Sequence, residues 1–379
     1  MNSTRAEICL RVATMAALTL AGCGGSSMIP NPAPNPVPSS SRFLYVVDSI
    51  ENSVSGYSIN ASSGALTPIA FTPVTTGDAP IYAAASANGK FLYAANAATD
   101  SSSISGFVID QTSGALRPTS PATFSINGDT DPLGIVVDAA SAHVYTANAH
   151  SISALNIDLA SGALSDVTGT PVRVQDTNAM LANLALSPNG QFLYATDSGT
   201  NQVRAYTINA SGLPVPAGNP VASGDVPAGI AVDHAGKYVY VVNWRSDNIS
   251  TYTVAPSTGA LTSAATVSLG AGCEPLELAI DTSNTRLYVS CFGLNTIAEF
   301  SIDSATGALA PMLPSFSTGS ATGPRGIAID ASGQYVYTAL NTQNRVGSAT
   351  IGSTGTLTAV NGAPATGRGP LGLVLSGQQ

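Results

Sequence analysis

The sequence predicts an all-β fold, a single seven-bladed β-propeller with four-stranded blades, on three observations. A motif that ends in tyrosine recurs seven times at intervals of 46–52 residues. A turn made of Ser or Thr followed by Gly recurs with it, and a short apolar run completes each repeat. A period of this length with several strand-like pieces is typical of propeller blades.

The tyrosine motif predicts the strand that lies next to the innermost strand of each blade. A segment of alternating apolar and polar residues follows it, as in residues 249–254. Such alternation is typical of strands with one buried face. The repeated tyrosines are Tyr45, Tyr93, Tyr145, Tyr194, Tyr240, Tyr288 and Tyr337.

The Ser/Thr-Gly turn predicts a tight hairpin in every repeat. A small polar residue followed by glycine suits a hairpin position with positive φ, which glycine adopts without a steric penalty. The turn glycines are Gly64, Gly114, Gly162, Gly212, Gly259, Gly307 and Gly355.

The apolar run predicts the innermost strand, because continuous hydrophobicity indicates burial on both faces. In most copies a proline, here called the leading proline, begins the run, as in residues 227–233. The folded region opens with a tyrosine strand at 43–47 and closes with an apolar run at 370–376. We therefore expect the first blade to combine both chain ends, which removes the free edges of an open sheet.

Composition excludes several classes of protein. Hydrophobic residues make up 44% of the chain and charged residues 9%, with a net charge of −9. Disordered chains have low hydrophobicity and high charge, so this chain is expected to fold. An acidic chain without a basic run also lacks the charge pattern that binds nucleic acid. We expect a monomer with no nucleic-acid partner.

The N-terminal segment predicts export. Arg5 and Arg11 precede an apolar stretch that is too short to span a bilayer. Leu20-Ala21-Gly22-Cys23 resembles the lipobox of bacterial lipoproteins, and the resemblance implies cleavage before Cys23 and lipidation of this residue. An ordinary signal peptide followed by a chance cysteine is the alternative.

Three segments follow from this interpretation: a signal peptide at 1–22, the lipidated cysteine with a Pro/Ser-rich tether at 23–42, and the propeller at 43–379. Prolines in the tether favour an extended spacer. The expected location is the bacterial cell envelope, at the outer membrane, the periplasmic face or the cell surface. Contact with the membrane would be through the lipid anchor only.

Copies such as Tyr240-Val241-Val242-Asn243 resemble the "YVTN" repeat, and the whole unit is similar to the seven-bladed lactonase family. That family includes 6-phosphogluconolactonase-like enzymes and muconate-cyclising relatives. The resemblance covers residues 43–376 and implies acid–base chemistry by His, Glu and Arg near the central channel. Members of the family commonly carry His just after the leading proline, and none of the seven copies has it here.

Two functions from different classes therefore remain open. The first, favoured by the missing His, is an envelope protein that binds a small molecule, a glycan or a partner protein at the channel mouth. The second is a metal-independent lactone hydrolase that acts on a sugar or aromatic lactone. Neither requires a cofactor, and the three histidines lack the spacing of metal ligands.

The candidate site consists of residues that directly follow the leading prolines, because these positions meet at one mouth of the channel. Glu277 and Arg325 are the candidate catalytic residues, and Tyr82 and Asn183 lie across the ring as candidate ligand-binding residues. Arg can hold a carboxylate or phosphate with two hydrogen bonds while Glu acts as a general base. The alternative is a structural ion pair between blades.

Trp244 and Arg245 are further candidate ligand-binding residues at the same mouth. A lone Trp beside Arg suits stacking on a sugar or an aromatic ligand. The alternative is that this pair packs on the loop of the next blade.

A second ring of positions lies three residues after the tyrosines, and five of its members are Asp or Asn: Asp48, Asn96, Asn148, Asp197 and Asn243. They suggest a ring of ligand groups. The favoured interpretation is that these side chains cap the backbone of the following turn.

Cysteine positions predict one disulfide. Cys9 is removed with the signal peptide and Cys23 would be lipidated, which leaves Cys273 and Cys291 as the candidates for pairing. They flank an antiparallel pair of strands, and the envelope is an oxidising compartment.

Overall fold

The computed structural model describes residues 42–98, 101–126 and 130–376. The predicted signal peptide, Cys23 and residues 24–41 of the predicted tether lie outside these residues. Within the described part of the chain, no helix has the length and apolar character needed to cross a membrane.

Seven antiparallel sheets form the blades of a β-propeller, which confirms the predicted fold. Each sheet has four main strands, and blades 1, 3 and 4 carry a further two-residue strand. Blade 1 contains β1 (Arg42–Asp48), β2 (Ser53–Ile59), β3 (Leu66–Pro68) and β4 (Val74–Thr75). Blade 2 contains β5 (Pro80–Ala85), β6 (Phe91–Asn96), β7 (Ser103–Ile109) and β8 (Leu116–Ser125). Blade 3 contains β9 (Gly134–Val137), β10 (His143–Ala147), β11 (Ser151–Ile157), β12 (Leu164–Asp166) and β13 (Val172–Arg173).

The remaining blades repeat this order from the innermost strand outward. Blade 4 contains β14 (Leu181–Leu186), β15 (Phe192–Asp197), β16 (Gln202–Ile208), β17 (Pro214–Pro216) and β18 (Val221–Ala222). Blade 5 contains β19 (Pro227–Val232), β20 (Tyr238–Asn243), β21 (Asn248–Val254) and β22 (Leu261–Ser268). Blade 6 contains β23 (Pro275–Ile280), β24 (Arg286–Cys291), β25 (Thr296–Ile302) and β26 (Leu309–Ser317). Blade 7 contains β27 (Pro324–Ile329), β28 (Tyr335–Leu340), a 3-10 turn (Asn341–Gln343), β29 (Arg345–Ile351) and β30 (Leu357–Ala359).

The last strand, β31 (Pro370–Leu375), closes the ring by pairing with β1. The register places Leu44 opposite Leu375 and Tyr45 opposite Val374. Blade 1 therefore takes its innermost strand from the C-terminal end and its outer strands from the N-terminal end, as the sequence predicts. This pairing leaves no open edge between the first and the last blade.

The repeated tyrosines join neighbouring blades, which explains why the tyrosine and the Ser/Thr-Gly turn recur together. All seven are fully buried. At five of the seven junctions the tyrosine hydroxyl donates to the carbonyl oxygen of the turn glycine in the next blade, as from Tyr45 to Gly114 at 2.7 Å. The turn also needs glycine for space, because a Cβ on Gly64, at φ +67°, would lie 2.2 Å from the ring of Tyr335.

The innermost strands are irregular where they reach the channel. Six of the seven have a register shift directly after their first residues, as between Pro275 and Leu278 in β23. A bulge of this kind redirects side chains, here those of the residues after the leading proline. Hydroxyl groups on the second strands accept hydrogen bonds from the released N–H groups, from Glu277 to Ser290 at 3.1 Å and from Asn183 to Thr196 at 3.0 Å.

Candidate active site

A cavity of about 80 Å³ lies where the innermost strands of all seven blades begin. It coincides with the ring of positions that the sequence singles out after the leading prolines. Its lining residues are Ile81, Tyr82, Leu133, Ala182, Asn183, Ala228, Leu276, Arg325 and Leu371. Glu277 follows Leu276 in the chain and is hydrogen-bonded to two of the lining residues, so it lies beside this cavity.

Long side chains and glycines share one ring of positions around the channel, the second position after the leading proline, or after Leu181 in blade 4. Blades 2, 4 and 6 carry Tyr82, Asn183 and Glu277 there, and the other four blades carry glycine. A Cβ on Gly229 would lie 3.0 Å from Oε2 of Glu277 and 2.7 Å from the carbonyl oxygen of Leu276. The glycines thus leave the space in which the three long side chains meet.

Glu277 is the central group among these three long side chains. Asn183 Nδ2 donates to Glu277 Oε1 at 2.7 Å, from blade 4 to blade 6, and Tyr82 of blade 2 is a further hydrogen-bond partner. Burial raises the pKa of Glu277 to about 7, although hydrogen bonds from Tyr82, the Leu278 backbone and Asn183 oppose this shift. A carboxyl group with this pKa is suited to accept a proton near neutral pH.

Arg325 supplies the positive charge of the site. Its side chain is 8% exposed, and the guanidinium carbon lies 5.0 Å from the ring centroid of Phe292. Burial lowers the pKa of Arg325 to about 10, while the charges of Tyr82 and Glu274 act in the opposite direction. Its buried Nε has no hydrogen-bond partner among the residues that the structure describes. An unpaired buried donor is unfavourable, so this N–H is suited to bind an anionic oxygen.

The interpretation of Glu277 and Arg325 as an ion pair between blades is wrong. In the described ranges, no contact within 4.0 Å joins the two charges. Their positions explain this: Glu277 bonds across the channel to Asn183 and Tyr82, whereas Arg325 lies over Phe292 at the wall. The two charged groups therefore do not neutralise each other, and the Nε of Arg325 is left for another partner.

Trp244 and Arg245 line a second cavity of about 230 Å³, together with Asp247, Gly272 and Glu274. The Arg245 guanidinium lies 5.6 Å from the centroid of the Trp244 ring. The carboxylate of Asp247 accepts hydrogen bonds at 2.7 Å from the backbone N–H groups of Gly272 and Glu274, which fixes the wall of this cavity. Because Glu274 also acts on Arg325, it links the two cavities electrostatically.

Sequence reasoning missed Glu274 and Phe292. Glu274 directly precedes a leading proline and has φ +49°, as Ala79 and Val226 have φ +51° and +54° at the equivalent position of their blades. Phe292 follows the tyrosine strand of blade 6, and nothing in the repeat predicts that it packs on Arg325. In the structure Cys273 and Cys291, their immediate neighbours, form a disulfide with the Cα atoms 4.5 Å apart. This bond anchors the loop that leads to Glu277.

The ring of Asp and Asn residues after the tyrosines is fully buried and does not line the channel cavity. The prediction that these residues cap the following turn is correct for Asp197, which accepts hydrogen bonds from the N–H groups of Gly199 and Thr200. For three of the others it is wrong, because their amides donate instead to hydroxyl groups on the third strand of the blade. These are Asn96, Asn148 and Asn243.

The chain belongs to the lactonase family of seven-bladed β-propellers. The family profile "Lactonase, 7-bladed beta-propeller" matches residues 32–130, 122–273 and 273–371. This match covers most of the described chain and includes the four candidate residues at the channel mouth, Tyr82, Asn183, Glu277 and Arg325.

The chain is similar to a 6-phosphogluconolactonase of Blochmanniella pennsylvanica, with 24% identity over 164 residues, which is 42% of this chain and 49% of that protein. It spans between 27% and 49% of the length of the curated relatives that it matches.

Solved structures share the fold. A crystal structure from Bacteroides uniformis superimposes with a TM-score of 0.76 and 18% identity, over 88% of this chain and 99% of that one. The periplasmic gluconolactonase of Pseudomonas aeruginosa gives a TM-score of 0.73 and 19% identity, over 89% and 99% of the two chains. At these identities the likeness establishes the fold alone.

Proposed function

We propose that this protein is a lactone hydrolase that acts on a sugar or aromatic lactone at the channel mouth. One observation carries the proposal: the buried carboxyl group of Glu277, with its pKa raised to about 7, lies at the same cavity as Arg325, whose Nε has no partner among the described residues. A base and an anion-binding donor at one cavity are the two groups that ester hydrolysis needs. Membership of the lactonase family and the names of the relatives support the same activity.

The reaction follows from the roles of these groups. The Glu277 carboxylate takes a proton from water as the water oxygen attacks the carbonyl carbon of the lactone. The carbonyl electron pair moves to oxygen, and the resulting oxyanion accepts the hydrogen bond of Arg325 Nε. When the carbonyl re-forms, the ring C–O bond breaks and protonated Glu277 returns its proton to the departing ring oxygen. The product is the open hydroxy acid.

Tyr82 and Asn183 hold the base in place. Asn183 bonds Oε1 of Glu277 at 2.7 Å, and Tyr82 is its second side-chain partner, so the carboxyl group is restrained from two sides of the channel. A reacting group held in one orientation needs less reorganisation in the transition state. In this proposal Tyr82 and Asn183 are positioning residues.

The interpretation that the sequence favours, a binding protein without activity, rests on the missing His. The raised pKa of Glu277 provides another general base, so the absence of His does not exclude hydrolysis. Trp244 and Arg245 line their own cavity and would contact the outer part of a bound ligand under either function. Pure ligand binding is therefore the second candidate.

A screen of sugar and aromatic lactones with the wild-type protein and Glu277→Gln tests the proposal. Glutamine keeps the size of the side chain and its hydrogen bonds but cannot act as a base, so hydrolysis should fall by about 100-fold or more. Glu51→Gln is the matched control, because Glu51 is exposed and paired with Arg368. Lactone binding without turnover, weakened by Trp244→Ala, would instead support a binding protein.

We propose further that the protein is a lipid-anchored envelope protein, supported by the lipobox-like residues before Cys23. Expression of the full chain with labelled fatty acid should label the wild type and leave Cys23→Ser unlabelled. Labelling that persists in Cys23→Ser would contradict this proposal.

A further inference from the structure

The channel cavity carries very little charge. Of its described lining residues, Arg325 is the one with a charged side chain. The neighbouring ionisable groups are the carboxyl groups of Glu277 and Glu274. A ligand in this cavity therefore meets one positive group, Arg325, and the neighbouring carboxyl group of Glu277.

The charge of this site stays balanced only for one kind of substrate. Before the reaction, the site contains the positive Arg325 and the ionised base Glu277. During it, Glu277 carries the proton and the negative charge sits on the substrate oxygen, next to Arg325. An uncharged lactone thus keeps the net charge of the pair at zero throughout, which a poorly solvated site favours strongly.

We propose that the site selects lactones without a charged substituent and discriminates against phosphorylated sugar lactones. This inference rests on the proposed function and specifies its substrate class. A phosphate ester adds about two negative charges near neutral pH. No second cation lines the described part of the cavity to balance them.

The rest of the wall agrees with an uncharged ligand. Ile81, Leu133 and Leu371, from three neighbouring blades, are buried and pack together as one apolar cluster with Tyr82 against it. Such a surface favours the C–H face of a lactone ring and provides no positive charge to bind a phosphate group. The second cavity at the same mouth contains Arg245 together with Asp247 and Glu274, so it adds no net positive charge for a phosphate group.

Two substrates that differ only in the phosphate group test this inference: an aldonic acid δ-lactone and its 6-phosphate ester. We expect kcat/KM to be at least about tenfold higher for the unphosphorylated lactone. Leu276→Lys then places a second cation in the wall beside Arg325, with Leu276→Met as the matched control. The lysine variant should shift the ratio toward the phosphorylated lactone by about fivefold or more, and the methionine variant should leave it unchanged. Because both substrates use the same base, the ratio is insensitive to any change in the pKa of Glu277.

Equal or faster hydrolysis of the phosphorylated lactone by the wild-type protein would overturn the inference while leaving the proposed function intact. Hydrolysis of neither lactone, and of no aromatic lactone in the screen above, would overturn the proposed function instead. The selectivity is then decided by calorimetric binding of the two corresponding aldonic acids: tighter binding of the unphosphorylated acid supports it, and tighter binding of the phosphorylated acid refutes it.

Discussion

Asn183 on blade 4 donates a 2.7 Å hydrogen bond to Glu277 on blade 6, 94 residues away in the chain. The two strands are not neighbours in the ring, so this bond spans the channel. It is possible because blade 5, between them, carries Gly229 at the equivalent position. Three residues on three blades thus hold a carboxyl group in the channel.

Removal of this bond should change the titration of the base. Asn183→Leu takes away a hydrogen bond that favours the ionised carboxylate, so the pKa of Glu277 should rise above about 7. The rising limb of kcat/KM against pH should move to higher pH by a measurable fraction of a unit. Asn156→Leu, on the third strand of blade 3, is the control. A lower rate with an unshifted pH profile would show that Asn183 does not act on Glu277.

Gly229→Ala should displace the base. The added Cβ would approach Glu277 Oε2 to 3.0 Å and the Leu276 carbonyl oxygen to 2.7 Å, so the side chain or strand must shift. We expect a loss of about tenfold or more in kcat, because small displacements of a reacting group have large effects. Gly352→Ala, whose Cβ would meet nothing closer than 3.4 Å, is the control. Full activity of Gly229→Ala would argue against Glu277 as the reacting group.

Asp48→Asn should stabilise the ring closure at neutral and higher pH. Asp48 is fully buried in blade 1, and neither its Oδ1 nor Ser53 Oγ has a hydrogen-bond partner among the described residues. Asn96, at the equivalent position in blade 2, donates to Ser103 and Ser105. Asparagine at position 48 would restore the same bonds.

The pH dependence of this effect has a defined sign. Burial raises the pKa of Asp48 from 3.8 to about 7, so the folded state holds this proton more tightly than the unfolded state. Its contribution is greatest below pH 4 and is lost as the pH rises to about 7. Asp48→Asn should add about 1–3 kcal/mol to the free energy of unfolding at pH 8 and less at pH 5. Denaturant titrations at both pH values measure this, and an equal effect at both would contradict the assignment.

Two tyrosine variants should separate the interblade hydrogen bond from the packing of the ring. Tyr45→Phe removes a bond of 2.7 Å to Gly114 and should lower the free energy of unfolding by about 1 kcal/mol. The Tyr194 hydroxyl is buried without a partner in the described structure, so Tyr194→Phe should be neutral or stabilising. Equal losses in thermal or chemical unfolding would show that the bond contributes nothing specific.

The sequence predicts much of the fold because each blade repeats the same physical pattern. The pairing of the strand at 43–47 with the run at 370–376 follows from the repeat order alone, and so does the ring of residues after the leading prolines. The repeat cannot show which ring members touch, because that depends on glycines in intervening blades. Gly229 and Gly372 make room for Glu277 and Tyr82, and only the assembled channel reveals this.

Other features of the site depend on contacts that the repeat does not indicate. Arg325 has no partner on its own blade and lies over Phe292 from blade 6. The sequence pairs Arg325 with Glu277 by proximity in the ring, whereas hydrogen bonds across the channel separate them.

The pH profile of lactone hydrolysis tests the role of Glu277 most directly. Because the ionised carboxylate is the active form, kcat/KM for an uncharged lactone should rise with pH and level off above an apparent pKa of about 7. In Glu277→Gln the residual rate should be lower by about 100-fold or more and should lack this transition. A transition near pH 7 that persists unchanged in Glu277→Gln, at a similar rate, would contradict the account.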